Sequence, residues 1–188
     1  MNAKLILASG SARRKKILAA LGAVFEVVVP EVEEVSYALD ARRTARENAA
    51  RKSAWCRAKY PACHSLAADT TIEFKGRCVT KARTKDEAIA FLGMFSGATH
   101  LVYTAVAMAR PRAEVELILV KSSVRFRMLS ADDIRTYVAN VNPMDRAGAY
   151  DIDEHGEMLI DGYTGSRTAI MGLPEEEVGA WLKKEGLA

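Results

Sequence analysis

A short polar segment near the start of the chain has the residue types that bind phosphate. Residues 9–14 read Ser-Gly-Ser-Ala-Arg-Arg, between an apolar run and a stretch with helical spacing. A helix N-terminus presents unpaired backbone N–H groups and a positive dipole end, and arginines add paired donors for phosphate oxygens. Taken alone, the segment favours a simpler alternative, in which Ser11 caps a helix and the arginines face solvent. The phosphate-binding candidates here are Ser9, Ser11, Arg13 and Arg14.

Two acidic positions are candidates for metal binding. Asp69 lies inside the apolar stretch 67–71, where a carboxylate is costly to bury unless it is paired, hydrogen-bonded or bound to a metal. Glu34 ends an acidic run that follows an apolar strand pattern. Mg²⁺ typically takes one or two carboxylates together with substrate phosphates. An ordinary position at a strand edge explains Asp69 equally well, and a solvated acidic loop is the usual explanation for a residue such as Glu34.

Other patterns narrow the class of protein. The chain has no Walker P-loop, no G-x-G-x-x-G turn, no G-x-S-x-G elbow and no H-E-x-x-H motif. Its three cysteines form no C-x-x-C pair, which argues against a disulfide framework and fits a reducing compartment. No signal peptide and no run of roughly 20 apolar residues is present. We therefore expect a cytoplasmic protein with no membrane partner.

The composition is that of an ordinary folded chain. Of 188 residues, 49% are apolar and 27% are charged, which suits one domain over residues 1–188. The net charge of +3 is too small to require nucleic acid. A nucleic-acid-binding module is supported only by a pI near 8.8 and by Arg/Lys clusters, and a steep salt dependence of binding would be needed to establish it.

Apolar periodicity and turn residues predict an alternation of strands and helices. Helix starts are indicated by Thr84 with Glu87, as a capping box, and by Ser130 with Asp133. A hairpin of two long strands joined across Pro111 favours a mixed sheet over a purely parallel one. The predicted strands are 4–8, 25–29, 65–74, 77–80, 99–109, 114–127 and 157–160. The predicted helices are 12–21, 40–60, 84–95, 130–138 and 175–184, with a short helix or turn at 145–150.

In order and spacing, these segments resemble the Maf family of nucleotide pyrophosphatases over about 170 positions. The family pattern S-x-S-P-R-R corresponds to residues 9–14, and an acidic cluster ending in glutamate corresponds to residues 31–34. Any single match would be weak, but eight in the same order are hard to attribute to chance. The others are A-x-x-K at 49–52, G-A-D-T at 67–70, G-K-P at 80–82, S-G-x-x-H-x-V-x-T at 96–104, D-K-A-G-A-Y at 145–150 and V-G-L-P at 171–174.

The resemblance implies a fold and an activity. The implied fold is α/β and similar to that of the Maf and inosine triphosphatase proteins, with a long curved mixed β-sheet, flanking helices and two lobes around a deep cleft. The implied reaction is hydrolysis of nucleoside triphosphates between the α and β phosphates, giving the monophosphate and pyrophosphate. It requires a divalent cation, usually Mg²⁺, with Mn²⁺ as an alternative. Members of the family often dimerise, so a homodimer is also implied.

The resemblance further implies roles for individual residues. Glu34 and Asp69 would hold the metal, and Asp69 would orient or deprotonate the attacking water. Lys52 and Lys81 would act with Arg13 and Arg14 in neutralising the triphosphate. The implied catalytic set is Asp69, Glu34, Lys52 and Lys81, and the implied substrate-binding set is Ser9, Ser11, Arg13, Arg14, Thr70 and Asp153.

The match is closer to the branch acting on dTTP and UTP than to the branch preferring CTP and methylated guanine nucleotides. Alanines replace family prolines at positions 12 and 82, Arg146 replaces lysine, and Asp153 stands where glutamine is usual. An ionised carboxylate only accepts hydrogen bonds whereas an amide also donates, so a changed recognition of base or sugar is expected. The alternative function is a non-catalytic nucleotide-binding regulator of cell division, because the family is linked to septum formation.

Overall fold

The computed structural model describes residues 4–188, without the side chain of Asp145. In this part of the chain seven strands form one sheet, in the order β2-β1-β3-β5-β6-β7 with β4 paired to β3. Strand β1 runs parallel to β2 and β3, and the other pairs are antiparallel. The predicted mixed sheet is therefore confirmed. The strands are β1 Leu5–Ala8, β2 Phe25–Val28, β3 His64–Phe74, β4 Arg77–Val79, β5 Thr99–Ala109, β6 Val115–Phe126 and β7 Ile160–Thr164.

Helices flank the sheet, and two of them begin after Thr84 and Ser130, the capping residues that the sequence indicates. Ser130 and Asp133 form a complete capping box. Thr84 accepts from the Glu87 N–H, but the Glu87 carboxylate accepts from the N–H of Arg83 at 2.7 Å, so the reciprocal half of the predicted box is displaced by one residue. The helices are α1 Ala12–Ala20, α2 Ala41–Lys59, α3 Lys85–Phe95, α4 Ala131–Asn140, α5 Arg167–Met171 and α6 Glu175–Glu185, with 3₁₀ turns at Pro143–Asp145 and Gly156–Met158.

The strand predicted at 157–160 is wrong. His155 adopts a left-handed conformation with φ of 55°, and its carbonyl accepts from the N–H of Met158. This turn holds the chain in a 3₁₀ conformation, so strand β7 begins only at Ile160. The five-residue helix α5 was not predicted, because it is too short to show helical periodicity.

The sheet buries different residues on its two faces. Leu5 and Leu7 of β1 pack in one cluster with residues of α1 and α6, whereas Ile6 and Ala8 pack in another with α2, as the two-residue repeat of a strand requires. A third cluster, which includes Phe95, lies toward the other end of the sheet. Among the described residues no helix is long and apolar enough to cross a membrane.

Helix α2 contacts the sheet through its smallest side chains. Its buried positions include Ala41, Ala45, Ala49, Lys52 and Cys56, which are spaced at three or four residues and therefore lie on one face. Alanines on that face allow a close approach to the sheet. Lys52 continues the alanine stripe, so its long side chain lies against β3 instead of in solvent.

Candidate active site

A cavity of about 340 Å³ lies where the chain leaves the parallel strands β1 and β2. Its lining includes Ile72 from one hydrophobic cluster and Met171 from another, so the cavity lies between two parts of the core. Ligands of α/β proteins commonly bind at the carboxyl ends of parallel strands. Of the residues predicted for the site, those that line the cavity are Ser9, Ser11, Arg13, Arg14, Glu34, Lys52, Asp69, Thr70 and Lys81.

One end of the cavity contains Glu34, Lys52 and Asp69, here called the carboxylate–lysine end. The Lys52 Nζ is 2.7 Å from Asp69 Oδ1 and 2.5 Å from Glu34 Oε1. Lys52 is only 9% exposed and Asp69 only 7%, so the ion pair offsets the cost of removing these charges from water. The pairing brings together three residues that are separated by up to 35 positions in the sequence.

Asn48, one turn before Lys52 on α2, fixes both carboxylate-bearing segments. Its Nδ2 donates to the Val35 carbonyl at 3.0 Å and to Asp69 Oδ2 at 3.4 Å, and its Oδ1 accepts from the Val35 N–H at 2.9 Å. Asn48 is 3% exposed. It therefore ties the loop that carries Glu34 to the strand that carries Asp69, a role that the sequence analysis did not assign.

The charges around Glu34 favour its ionised form. Partial burial raises the pKa of this carboxyl group, but the hydrogen bond and charge of Lys52, with the charges of Lys81 and Arg14, outweigh burial and lower the pKa below its usual value. Glu34 is therefore a carboxylate at neutral pH. Lys81 also lines the cavity, and its backbone pairs with Ala147 in an isolated antiparallel bridge.

Arg14 is oriented by neutral oxygen atoms. Its Nε donates to the Gly172 carbonyl at 2.9 Å, Nη1 to Ser9 Oγ at 3.0 Å and Nη2 to Thr70 Oγ1 at 3.3 Å. A Cβ at Gly172 would be 3.2 Å from Arg14 Nε, and the backbone φ there is 110°. Glycine is thus needed at this position both for the close approach and for the conformation.

Thr70 connects the Arg14 guanidinium to the rest of the sheet. The Thr104 hydroxyl donates to the Ala169 carbonyl at 2.7 Å, and its oxygen is 2.9 Å from Thr70 Oγ1. Since a hydroxyl has one proton, Thr70 donates to Thr104 and accepts from Arg14. The predicted residue Ser11 caps α1, accepting from the N–H of Arg14.

A second charged group in the cavity wall contains Arg13, Arg146 and Asp151, and is here called the arginine end. Arg13 Nη1 is 3.3 Å and Arg146 Nε 3.2 Å from the same oxygen, Asp151 Oδ2. Arg146 also forms an ion pair with Glu154. Arg13 was predicted, whereas Asp151 was not assigned to the site, and Arg146 was noted only as a replacement for lysine.

Asp153 does not line the cavity with the other predicted residues. Its carboxylate is 2.7 Å from Arg167 Nη2 and 3.2 Å from Lys16 Nζ. These hydrogen bonds and charges, that of Lys16 most strongly, lower the pKa of Asp153. The side chain therefore joins α1 to α5, and its predicted contact with substrate stays a prediction.

An aromatic cluster supports the wall at the arginine end. Tyr150 lines the cavity, and its Oη is 2.8 Å from Nε2 of the buried His100, whose ring stacks on Phe95 with centroids 4.3 Å apart. Burial lowers the pKa of His100 to about 4 and raises the pKa of Tyr150. Both groups are neutral at pH 7, which suits a structural role.

The polar groups of the cavity suit an anionic ligand. Five cationic side chains and three carboxylates line it, which leaves an excess of positive charge. In residues 4–188, setting aside the side chain of Asp145, no group of three or more His, Cys, Asp or Glu side chains is arranged to hold a metal ion. Two carboxylates do converge on one cation, the Lys52 ammonium, and Mg²⁺ typically uses one or two carboxylates with water and phosphates. Glu34 and Asp69 are therefore the residues whose chemistry would suit a divalent cation completed by phosphate oxygens.

Comparisons with known proteins agree with this chemistry. The model of the family described as Maf-like protein matches residues 4–185. A dTTP/UTP pyrophosphatase of Myxococcus xanthus is 38% identical over 184 residues, covering 97% of this chain and 93% of that protein. One of Salmonella typhimurium is 41% identical over 175 residues, covering 90% and 87%. The Staphylococcus aureus Ham1 protein has a similar fold, with a TM-score of 0.54 and 16% identity over 97% of this chain and 99% of that chain.

Proposed function

The chain belongs to the Maf-like protein family, and on this basis we propose that it hydrolyses nucleoside triphosphates between the α and β phosphates. The products are the monophosphate and pyrophosphate. The substrates we propose are dTTP and UTP or modified pyrimidine nucleotides, because the curated relatives are named dTTP/UTP pyrophosphatases. The observation that carries the proposal is the Lys52 ammonium bridging Glu34 and Asp69 in the wall of a cavity that Arg14 also lines.

The cationic side chains bind and neutralise the triphosphate. Arg14, Lys52 and Lys81 line the cavity together with the first turn of α1, whose backbone N–H groups and dipole also attract anions. Transfer of a phosphoryl group is catalysed mainly by positioning and by stabilising charge on the phosphate oxygens. We propose that Ser9, Ser11, Arg13 and Thr70 complete the substrate-binding set.

Asp69 is the proposed acceptor of the proton from the attacking water. Its Oδ1 is held by Lys52, while its Oδ2 receives only the 3.4 Å contacts from Asn48 and Thr71. That second oxygen is therefore the better placed of the two to orient water. Glu34 and Asp69 are the residues that would hold a divalent cation, Mg²⁺ or Mn²⁺, which when bound supplies charge neutralisation and activation of water.

A screen of triphosphates with detection of pyrophosphate tests this proposal. With Mg²⁺ present, we expect release from dTTP and UTP to exceed release from purine triphosphates. Asp161→Asn is a suitable control, because this carboxylate forms an exposed ion pair with Arg125 on β6 and β7. If no ordinary or modified triphosphate gives pyrophosphate, the proposal fails, and tight binding without turnover would instead favour a non-catalytic regulator.

A further inference from the structure

Asp151 is a third carboxylate in the cavity wall, and it has no role in the proposed hydrolysis. Its side chain is only 4% exposed. Burial of a carboxylate is unfavourable unless hydrogen bonds or opposite charges compensate for lost hydration. Glu34 and Asp69 already account for metal binding and for proton transfer, so Asp151 requires a separate explanation.

The surrounding backbone fixes the position of the Asp151 carboxylate. Its own N–H donates to Tyr137 Oη at 2.8 Å, and its Oδ1 accepts from the Asp153 N–H at 2.8 Å. Tyr137 is fully buried. The carboxylate is therefore anchored on one side, and only its second oxygen, Oδ2, faces the two arginines.

That second oxygen meets Arg13, whose side chain is 26% exposed and lies on the first turn of α1. The contact joins residues 138 positions apart. A long arginine side chain has many rotamers in solvent, and immobilising it before a ligand arrives removes part of the entropic cost of binding. Arg13 forms its ion pair with Asp151, whereas Lys52 forms its ion pairs with Glu34 and Asp69.

We propose that Asp151 is a positioning residue, which holds the Arg13 guanidinium at the cavity wall in the orientation that meets the nucleotide. The inference rests on the proposed function and extends it. Because Arg13 pairs with Asp151 and takes no part in the proposed transfer of the water proton, it contributes to binding of substrate and transition state alike. Loss of such uniform binding raises KM and leaves kcat nearly unchanged.

A double-mutant cycle tests the proposal through Arg13. Asp151→Asn retains the shape of the side chain and removes its charge, and we expect it to raise the KM for dTTP about tenfold with kcat within about twofold. In an Arg13→Ala background, Asp151→Asn should have no further effect on KM. Asp161→Asn, which also removes a carboxylate paired with arginine, should leave both parameters unchanged.

Two results of the cycle would overturn the proposal. A KM raised equally by Asp151→Asn with and without Arg13 would show that Asp151 does not act through Arg13. A KM lowered by Asp151→Asn would show that its charge opposes the nucleotide instead of preparing the site. Because Asp151 also pairs with the buried Arg146, some loss of stability is expected in Asp151→Asn. Unfolding temperatures of all variants, measured in parallel, show whether each is folded at the assay temperature, and a KM change found only where a variant is partly unfolded would count against the proposal.

Equilibrium binding of dTTP with Mg²⁺, measured on the same four proteins, separates this inference from the proposed function. If the unmodified chain binds dTTP but releases no pyrophosphate, the proposed function fails. The same coupling between Arg13 and Asp151 must then be found in the dissociation constants for the inference to stand. If the unmodified chain does not bind dTTP, both fail.

Discussion

The two ends of the cavity have opposite charge arrangements. At the carboxylate–lysine end one cation, Lys52, lies between two carboxylates, and at the arginine end one carboxylate, Asp151, lies between two guanidinium groups. The first group has two carboxylates to one ammonium and suits a further cation, although the charges of Lys81 and Arg14 also act on Glu34. The second has two guanidinium groups to one carboxylate among the side chains that line the cavity, since Glu154, the other partner of Arg146, lies outside that lining, and it suits oxygen atoms of a ligand. A nucleotide with its metal ion requires both kinds of site in one cavity.

The two ends also differ in what supports them. The carboxylate–lysine end takes Lys52 from the long helix α2 and Asp69 from the central strand β3. The arginine end takes Arg146 and Asp151 from the irregular segment before β7 and Arg13 from the first turn of α1. We therefore expect substitutions at the first end to change catalysis most, and those at the second to change binding and stability.

Asp69→Asn should have the largest effect on activity. An amide cannot accept the proton of water, and general-base catalysis contributes about 10²- to 10⁴-fold, so we expect the rate of pyrophosphate release to fall about 10³-fold. The fold should persist, because Lys52 keeps its ion pair with Glu34. Rates are compared with those of Asp161→Asn, and unfolding temperatures are measured for both. Retention of more than a tenth of the activity would remove Asp69 from the proposed mechanism.

Arg146→Met should show the different character of the arginine end. The side chains of Arg146 and Asp151 are 12% and 4% exposed, and removing one partner of a buried ion pair costs about 3 kcal/mol or more. Because Asp151 keeps Arg13, we expect a loss of about 3 kcal/mol in the free energy of unfolding, measured with urea.

Arg125→Met is the matched control for this change. Arg125 pairs with Asp161, and both side chains are more than half exposed. Exposed ion pairs contribute about 1 kcal/mol or less. If the two variants lost equal stability, the Arg146–Asp151 pair would not be the buried support that the structure indicates.

His100, which lies beneath the arginine end, should have a smaller, pH-dependent effect on the free energy of unfolding. Its pKa is about 4 in the folded protein against 6.5 for an ordinary histidine, so the unfolded chain binds the proton first as the pH falls. Stability from the neutral, buried ring is fully present above pH 6.5 and is lost between pH 6.5 and about 4. We expect a loss of about 2 to 3 kcal/mol in this interval.

His100→Gln, which has no titrating ring, is the reference for this measurement. The free energy of unfolding is determined by urea denaturation at several pH values between 7 and 4. The unmodified chain should lose more stability than the variant over that interval. Parallel pH profiles would show that His100 does not titrate as its burial implies.

The carboxylate–lysine end was predicted mainly from the resemblance to the Maf family, because among its residues only Asp69 stands out locally. Asp69 is an acidic residue within an apolar strand. Lys52 lies on the same buried face of its helix as a stripe of alanines, a signal that the sequence analysis did not use. The arginine end was not predictable in this way. Asp151 belongs to an acidic run that resembles a solvated loop, and its burial depends on Arg13, 138 positions away.

Asp153 is the converse case, because the sequence pattern assigned it to the site and it does not line the cavity. Its place in the sequence pattern predicts a substrate contact, which stays a prediction, and its carboxylate pairs with Lys16 and Arg167 outside the cavity lining. Only two positions separate it from Asp151. Which of two neighbouring carboxylates enters a cavity depends on the backbone turn between them, and neither composition nor periodicity determines that turn.

The central claim is tested most directly by identifying the products formed from dTTP. The chain is incubated with dTTP and Mg²⁺, and the phosphorus-containing products are followed by ³¹P NMR, with Asp69→Asn as the inactive reference. The account predicts dTMP and pyrophosphate in equal amounts, formed by the unmodified chain and not by the variant. Formation of dTDP and orthophosphate, or equal turnover by Asp69→Asn, would contradict it.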